Sequence, residues 1–133
     1  MDRDRALELL DSVPVATLTT IRADGSPRPV PIVFAVLDDG RIVTAVDHKP
    51  KSTRRLRRLE DMRSDSRVSV LAQHYEDDWR RLWWVRIDGT AEVLDEVPTD
   101  VVRTLTSRYA QYRDHPPPGP WILISPSKIV GWP

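Results

Sequence analysis

The residues best suited to chemistry lie in the stretch Thr44 to Arg58, TAVDHKPKSTRRLRR. The β-branched and small apolar residues of Ile42 to Val46 are typical of a buried strand. Pro50 disfavours helix at the residue before it, so a helix is expected to begin after Pro50. Ser52 or Thr53 is then placed to cap that helix with a side-chain oxygen. The stretch therefore predicts a strand, a polar turn and a helix in direct succession.

This order of elements favours an anion site. The N-terminus of a helix presents unpaired N–H groups and the positive end of the helix dipole, which together hold a phosphate. Lys49 and Lys51 add two positive charges beside it. A basic run taken alone is more often a solvated helix face, and this alternative stays open for residues Lys49 to Arg58. The strand, cationic turn and hydroxyl cap together favour phosphate binding.

Other reactive side chains do not form a recognisable constellation. The chain has no cysteine, which excludes thiol catalysis, a cysteine-ligated zinc site and a disulfide framework. The histidines lack the spacing of a metal motif, and the acidic run 76–78 is better explained as a solvated loop than as a cation site. We therefore expect no metal site at these residues, namely His48, His74, His115, Glu76, Asp77 and Asp78.

Composition limits the class of protein. The 133 residues fit one domain, 1–133, and 20 basic residues balance 20 acidic ones. This balance argues against a general nucleic-acid or membrane-surface binder, although the arginine helix keeps nucleic-acid binding as a weaker alternative. The sequence has neither the apolar core of a secretory signal nor the roughly 18 apolar residues of a membrane span. A cytoplasmic location is expected.

Short strands surround the candidate site. The patterns predict a helix over Asp2 to Asp11 and a three-stranded meander whose strands are Val15 to Ile21, Val30 to Leu37 and Arg41 to Val46. Pro29 and Pro31 cannot donate ladder hydrogen bonds. The start of the second strand is therefore expected at a sheet edge, at a bulge or in an irregular stretch beside a ligand.

The second half of the chain predicts further strands and two helices. The first helix has an apolar stripe that carries Leu56, Leu59 and Met62. Strands are predicted at Arg67 to Ala72, Leu82 to Val93 and Trp121 to Ile124, and the second helix runs from Pro98 to Pro116. The tail, Lys128 to Pro133, closes the chain. The fold expected from this order is a mainly antiparallel β-barrel with peripheral α-helices. Trp83 and Trp121 are predicted in the core, whereas Trp79 or Trp84 is a candidate for stacking on a ligand or filling a dimer interface.

Three segments carry a family resemblance. KPKSTRRLRRL, RVSVLAQHYEDDWRRLWWVRIDGTAEV and RYAQYRDHPPPGP resemble oxidoreductases that use the deazaflavin coenzyme F420, a branch of the pyridoxamine-phosphate-oxidase-like flavin and deazaflavin enzymes. The resemblance covers nearly the whole chain. It implies a split β-barrel in which the cofactor phosphate is held where the third strand meets the next helix.

The resemblance also implies which residues bind. The cofactor-binding candidates are Lys49, Lys51, Ser52, Thr53 as its neighbouring alternative, and the weaker candidates Arg54 and Arg55. Relatives form a homodimer whose cofactor cleft lies at the subunit interface. Trp84 and Arg86 are expected to face away from the core on the long strand, and so to contact the substrate or the partner subunit.

The function implied is hydride transfer between reduced F420 and a small organic substrate, which the sequence does not name. The cofactor carries such chemistry while the protein supplies position and electrostatics, so the lack of a catalytic triad does not argue against an enzyme. The acidic tail of F420 would give Arg54, Arg57 and Arg58 a partner. The alternatives are an FMN-dependent oxidoreductase of the same fold, or a non-catalytic flavin-, deazaflavin- or haem-binding protein.

Overall fold

A computed structural model describes the backbone of residues 1–46 and 53–133, and the side chains of all of these except residues 53–56. The helices are α1 (Arg3–Asp11), α2 (Thr53–Ser64), α3 (Thr99–Arg108) and α4 (Ala110–Asp114), with a 3₁₀ turn at Trp79–Arg81. The strands are β1 (Ala16–Ile21), β2 (Pro27–Ile32), β3 (Ala35–Val36), β4 (Ile42–Ala45), β5 (Arg67–His74), β6 (Trp83–Leu94) and β7 (Trp121–Trp132).

All seven strands belong to one antiparallel sheet in the order β2-β1-β5-β6-β7-β4-β3. The two edge strands, β2 and β3, are adjacent in the chain and are separated only by Val33 and Phe34. A link of two residues spans at most about 11 Å. The sheet must therefore curl until its edges nearly meet, which makes the mainly β, split-barrel architecture expected from the sequence.

The predicted strand Val30 to Leu37 is wrong as a single element, because its two halves lie at opposite edges of the sheet. The predicted meander is wrong for the same reason, since β4 pairs with β3 and β7 and not with β2. The expectation for the prolines is confirmed. Strand β2, which contains Pro29 and Pro31, pairs only with β1 and forms an edge, where a missing N–H costs no ladder bond.

The barrel interior follows the predicted alternation. Val85 and Ile87 on β6 are fully buried, and Leu59 and Met62 of α2 pack against the same core. Trp121 is buried as predicted, in a second cluster beneath α3 and α4. Trp83 packs against the main core but is only partly buried.

The last strand is longer than predicted. Trp121 to Ile124 and the tail form one strand, β7, with an extra residue at Ser127, because Asp88 lies opposite Lys128 whereas Gly89 lies opposite Pro126. A Cβ at Gly89 would lie 2.3 Å from the Ser125 carbonyl oxygen. Only glycine permits this close approach of the two strands.

Of the helices before β1 and before β7, the first agrees with its prediction and the second does not. Helix α1 is confirmed, and Asp2 caps it by accepting a hydrogen bond of 2.8 Å from the Arg5 N–H. The single helix predicted from Pro98 is wrong, because Tyr109 has an extended backbone, with φ −120° and ψ 123°, and separates α3 from α4. Its side-chain hydroxyl bonds to two distant carbonyls, which accounts for the break.

Candidate functional site

A cavity of about 270 Å³ opens where β4 leads towards α2. It is lined by Val15, Pro31, Ile32, Val33, Thr44, Ala45, Arg58 and Tyr112. The chain between the end of β4 and the start of α2 includes the predicted phosphate-binding turn. The cavity is therefore lined by residues that flank, in the chain, the segment from which the sequence predicts anion binding.

One wall of the cavity, which we call the near wall, consists of Thr44, Ala45 and Arg58. Thr44 is buried, and its Oγ1 donates a hydrogen bond of 2.7 Å to the Val33 carbonyl oxygen. Arg58 lies on α2, one turn beyond the start of the helix, and is half-buried. The near wall thus includes a positively charged side chain, a residue type suited to an anionic group.

The other lining residues, which we call the far wall, are Val15, Pro31 to Val33 and Tyr112. These residues come from the segment before β1, from β2 and its link to β3, and from α4. Tyr112 is buried, and its ring packs edge-on against Tyr109 with 5.9 Å between centroids. The far wall is mostly apolar and suits the ring system of an organic ligand.

An ion pair attaches α2 to the edge of the sheet. Arg28 Nε on β2 lies 3.2 Å from Asp61 Oδ2 on α2, and the two side chains are only 18% and 12% exposed. Charges that are largely withdrawn from water interact more strongly than surface pairs do. This pair stabilises the position of the helix that carries Arg58.

The structure describes only some of the predicted phosphate-binding residues. Lys49, Lys51 and Ser52 lie outside the described residues, as does His48. Thr53, Arg54 and Arg55 form the first residues of α2, but their side chains are also outside the description. The helix begins at Thr53, in agreement with the predicted start after Pro50. The binding role of these residues stays a prediction.

Trp84 and Arg86 lie elsewhere. They alternate with the buried Val85 and Ile87 and so occupy the outer face of β6. There they line a second, more apolar cavity of about 520 Å³ with Leu71, Gln73, His74, Tyr75, Leu82, Trp83 and Trp132. Arg86 Nε donates a hydrogen bond of 3.1 Å to Asp88 Oδ1. Within one chain these two residues do not reach the first cavity.

Sequence reasoning missed most of the far wall. Tyr112 was predicted only as part of the helix from Pro98 to Pro116, and nothing in the sequence marked Val15 or Val33 as lining residues. Pro31 is the exception, because its missing N–H predicted an edge or irregular stretch beside a ligand, and it does line the cavity. No signal in the sequence places Tyr112 at the cavity, because the contacts of Tyr109 that accompany the break in the helix are tertiary.

Among the described residues, the carboxyl groups with displaced pKa values lie in turns and do not line the cavity. Hydrogen bonds from Arg67 lower the pKa of Asp65 to about 2, and a hydrogen bond from the Ser26 hydroxyl lowers the pKa of Asp24. Among the described residues no group of three or more histidine, aspartate or glutamate side chains is placed to hold a metal ion. Within residues 1–46 and 53–133 no helix is long and apolar enough to cross a membrane.

Comparison with known proteins gives a family and a fold. The sequence profile of the family described as pyridoxamine 5'-phosphate oxidase matches residues 3–132. No curated protein matches the chain. A conserved hypothetical protein of Mycobacterium tuberculosis is 24% identical with a TM-score of 0.78, and the match covers 99% of this chain and 84% of the other.

Two further solved structures share the fold and have ligands in their names. The FAD binding protein of Mycobacterium smegmatis is 18% identical, with a TM-score of 0.67 over 99% of this chain and 95% of its own. A heme binding protein of the same organism is 16% identical, with a TM-score of 0.75 over 99% of this chain and 55% of its own.

Proposed function

The chain belongs to the pyridoxamine 5'-phosphate oxidase family, and on that premise we propose that it is an oxidoreductase that uses coenzyme F420. In this proposal a hydride passes between the reduced deazaflavin and a small organic substrate. The family includes oxidoreductases of this split-barrel fold. The choice of F420 comes from the resemblance of the three sequence segments described above.

The observation that carries the proposal is the position of the first cavity. Its near wall joins the end of β4 to α2, the two elements on either side of Lys49, Lys51 and Ser52. A phosphate held by that turn would leave an attached ring beside the apolar far wall. Arg58 on the near wall is placed to neutralise further negative charge.

The residues of this chain would contribute position and electrostatics. The lysines and the hydroxyl of the turn would hold the phosphate, with Thr53, Arg54 and Arg55 as further donors. Thr44 holds the link between β2 and β3 through its bond to the Val33 carbonyl oxygen, and the buried Tyr112 would contribute apolar surface to the lining. When bound, the deazaflavin or flavin supplies the hydride-transfer chemistry itself.

A second candidate is a protein of the same site that binds FMN or haem, with or without turnover. The names of the two Mycobacterium smegmatis proteins favour keeping this alternative, because one is an FAD binding protein and the other a heme binding protein. Haem needs an axial ligand, and no histidine lines the first cavity among the described residues. FMN, which has a ring and a single phosphate, fits the same walls.

We also propose a homodimer with the cofactor cleft at its interface. Leu71 and Trp132 are exposed beside Trp84 on the outer face of the sheet, which gives this face an unusual apolar content. A second copy of the chain would cover it and bring Trp84 and Arg86 towards the partner's cofactor. Sedimentation analysis of the protein and of Trp84→Glu tests this, because a monomeric wild-type protein would contradict it.

The decisive experiment is a parallel titration of the cofactor-free protein with F420 and FMN, followed by tryptophan quenching and cofactor fluorescence. Preferential binding of F420, followed by substrate-dependent reoxidation of the reduced form, is the expected result. A preference for FMN would move the protein to the flavin branch. Binding of neither would contradict the proposed function.

A further inference from the structure

The far wall is held by the side chain of Arg108, at the end of α3. Arg108 Nη1 donates a hydrogen bond of 2.7 Å to the Phe34 carbonyl oxygen, in the link between β2 and β3. Nη2 donates bonds of 2.7 Å and 2.5 Å to the carbonyl oxygens of Asp11 and Val13. The guanidinium also lies 4.7 Å from the centroid of the Phe34 ring. One side chain thus joins three separate segments.

The next residue, Tyr109, repeats the same connection. Its hydroxyl oxygen accepts a hydrogen bond of 3.0 Å from the Phe34 N–H and lies 2.8 Å from the carbonyl oxygens of Pro14 and Phe34. The single phenolic proton is shared between these two carbonyls. Phe34 is fully buried, so these bonds replace contacts with water that its backbone has lost.

In both segments that Arg108 and Tyr109 bind, a residue next to the bonded one lines the first cavity. Val15 follows Pro14 directly, and Val33 precedes Phe34. Tyr112 lies three residues beyond Tyr109, on the short helix that begins after the Tyr109 break, and the two rings pack edge-on. The pair Arg108 and Tyr109 therefore fixes the three chain segments that supply the far wall, at Val15, Val33 and Tyr112, relative to one another.

We propose that Arg108 and Tyr109 are positioning residues for the ring of the cofactor. Neither residue lines the cavity in the part of the chain that the structure describes, and they act by holding Val15, Val33 and Tyr112 at the spacing that the ring requires. This inference rests on the proposed function. It assigns recognition of the ring to the far wall and recognition of the phosphate to the predicted turn between β4 and α2.

The test separates ring binding from phosphate binding. Tyr109→Phe removes the hydroxyl and keeps the ring against Tyr112, whereas Arg108→Lys keeps the charge and loses the planar fork of donors. For each variant, the dissociation constant of the cofactor that the wild-type protein binds is measured, together with the inhibition constant of inorganic phosphate as its competitor. We expect cofactor affinity to fall about tenfold in each variant, because each variant loses one to two hydrogen bonds that hold the far wall in place. The inhibition constant of inorganic phosphate should stay unchanged.

Arg113→Lys is the matched control. Arg113 is exposed on α4 and donates to the Ser107 carbonyl oxygen at 2.8 Å, outside the network that joins the walls. Wild-type cofactor affinity in Tyr109→Phe, or a parallel loss of cofactor and phosphate binding, would overturn the positioning role. Should Arg108→Lys fail to fold, Tyr109→Phe decides the matter alone. If the wild-type protein binds neither F420 nor FMN, the proposed function fails first and this inference with it.

Discussion

The two walls of the first cavity are built in different ways. The near wall, Thr44, Ala45 and Arg58, comes from two elements that are consecutive in the chain. The far wall brings together residues 15, 31–33 and 112, and the hydrogen bonds of Arg108 and Tyr109 that support it join residues 74 to 97 positions apart. One wall is local in sequence and the other is assembled by tertiary contacts.

This difference shows which part of ligand recognition can be inferred from the sequence and which part requires the folded structure. A strand, a turn and a helix start place charges and N–H groups by local geometry, so the phosphate side can be inferred from residue types in order. The surface that would meet the ring depends on which distant segments the folded chain brings together. Changes on the near wall should therefore affect charge recognition, whereas changes to contacts between the walls should affect stability as well.

The largest expected effect comes from removing the two lysines of the predicted phosphate-binding turn between β4 and α2. Lys49→Ala with Lys51→Ala removes two cationic donors, each worth about 1.5 to 3 kcal/mol in a charged hydrogen bond. Cofactor affinity should then fall by about 100-fold or more, with little change in the thermal midpoint. Titration and a melting curve measure both quantities. Lys128→Ala, at an exposed position of β7, is the control and should bind as the wild type does. Unchanged affinity in the double variant would remove this site assignment.

The second prediction concerns the contact between the walls. Thr44→Val removes the hydroxyl that bonds to the Val33 carbonyl and leaves that carbonyl without its 2.7 Å partner. The expected loss of unfolding free energy is about 1 to 3 kcal/mol, seen as a thermal midpoint lower by several degrees.

Thr20→Val is a matched control for Thr44→Val. Thr20 is also fully buried, but its hydroxyl has no hydrogen-bond partner in the part of the chain that the structure describes. Replacing it with an apolar group of the same shape should leave stability unchanged or raise it slightly. Equal destabilisation by the two substitutions would contradict the importance of the bond between the walls.

The smallest effect tests whether the near wall needs support from the rest of the sheet. Asp61→Asn removes the charge that Arg28 faces at 3.2 Å and should loosen α2 from β2. Because both side chains keep some contact with water, the expected cost is about 1 to 2 kcal/mol, below that of a fully buried pair. Chemical denaturation measures it, and Glu60→Gln, at the neighbouring exposed position, should leave stability unchanged. A stable Asp61→Asn variant with normal cofactor binding would show that α2 is held by its apolar stripe alone.

Several elements could be predicted because their determinants are local. The alternation around Val85 and Ile87, the Asp2 cap of α1 and the apolar stripe of α2 all follow from residue type and spacing. The break at Tyr109 could not be predicted, since it depends on the carbonyl oxygens of Pro14 and Phe34, which are 95 and 75 positions away in the chain. The length of β7 could not either, because its tail pairs with β6 through a register that only the folded sheet defines.

By itself the sequence determined the fold class and the start of α2, because periodicity and capping act over a few residues. The anion-binding role of the turn between β4 and α2 stays a prediction. The tertiary structure alone decided that the chain from β2 to β3 crosses between the two sheet edges and so helps to bring together the residues that line the first cavity. The physical reason is that this arrangement is set by contacts between distant segments. Here these are the hydrogen bonds of Arg108, Tyr109 and Thr44 to the link at residues 33–34.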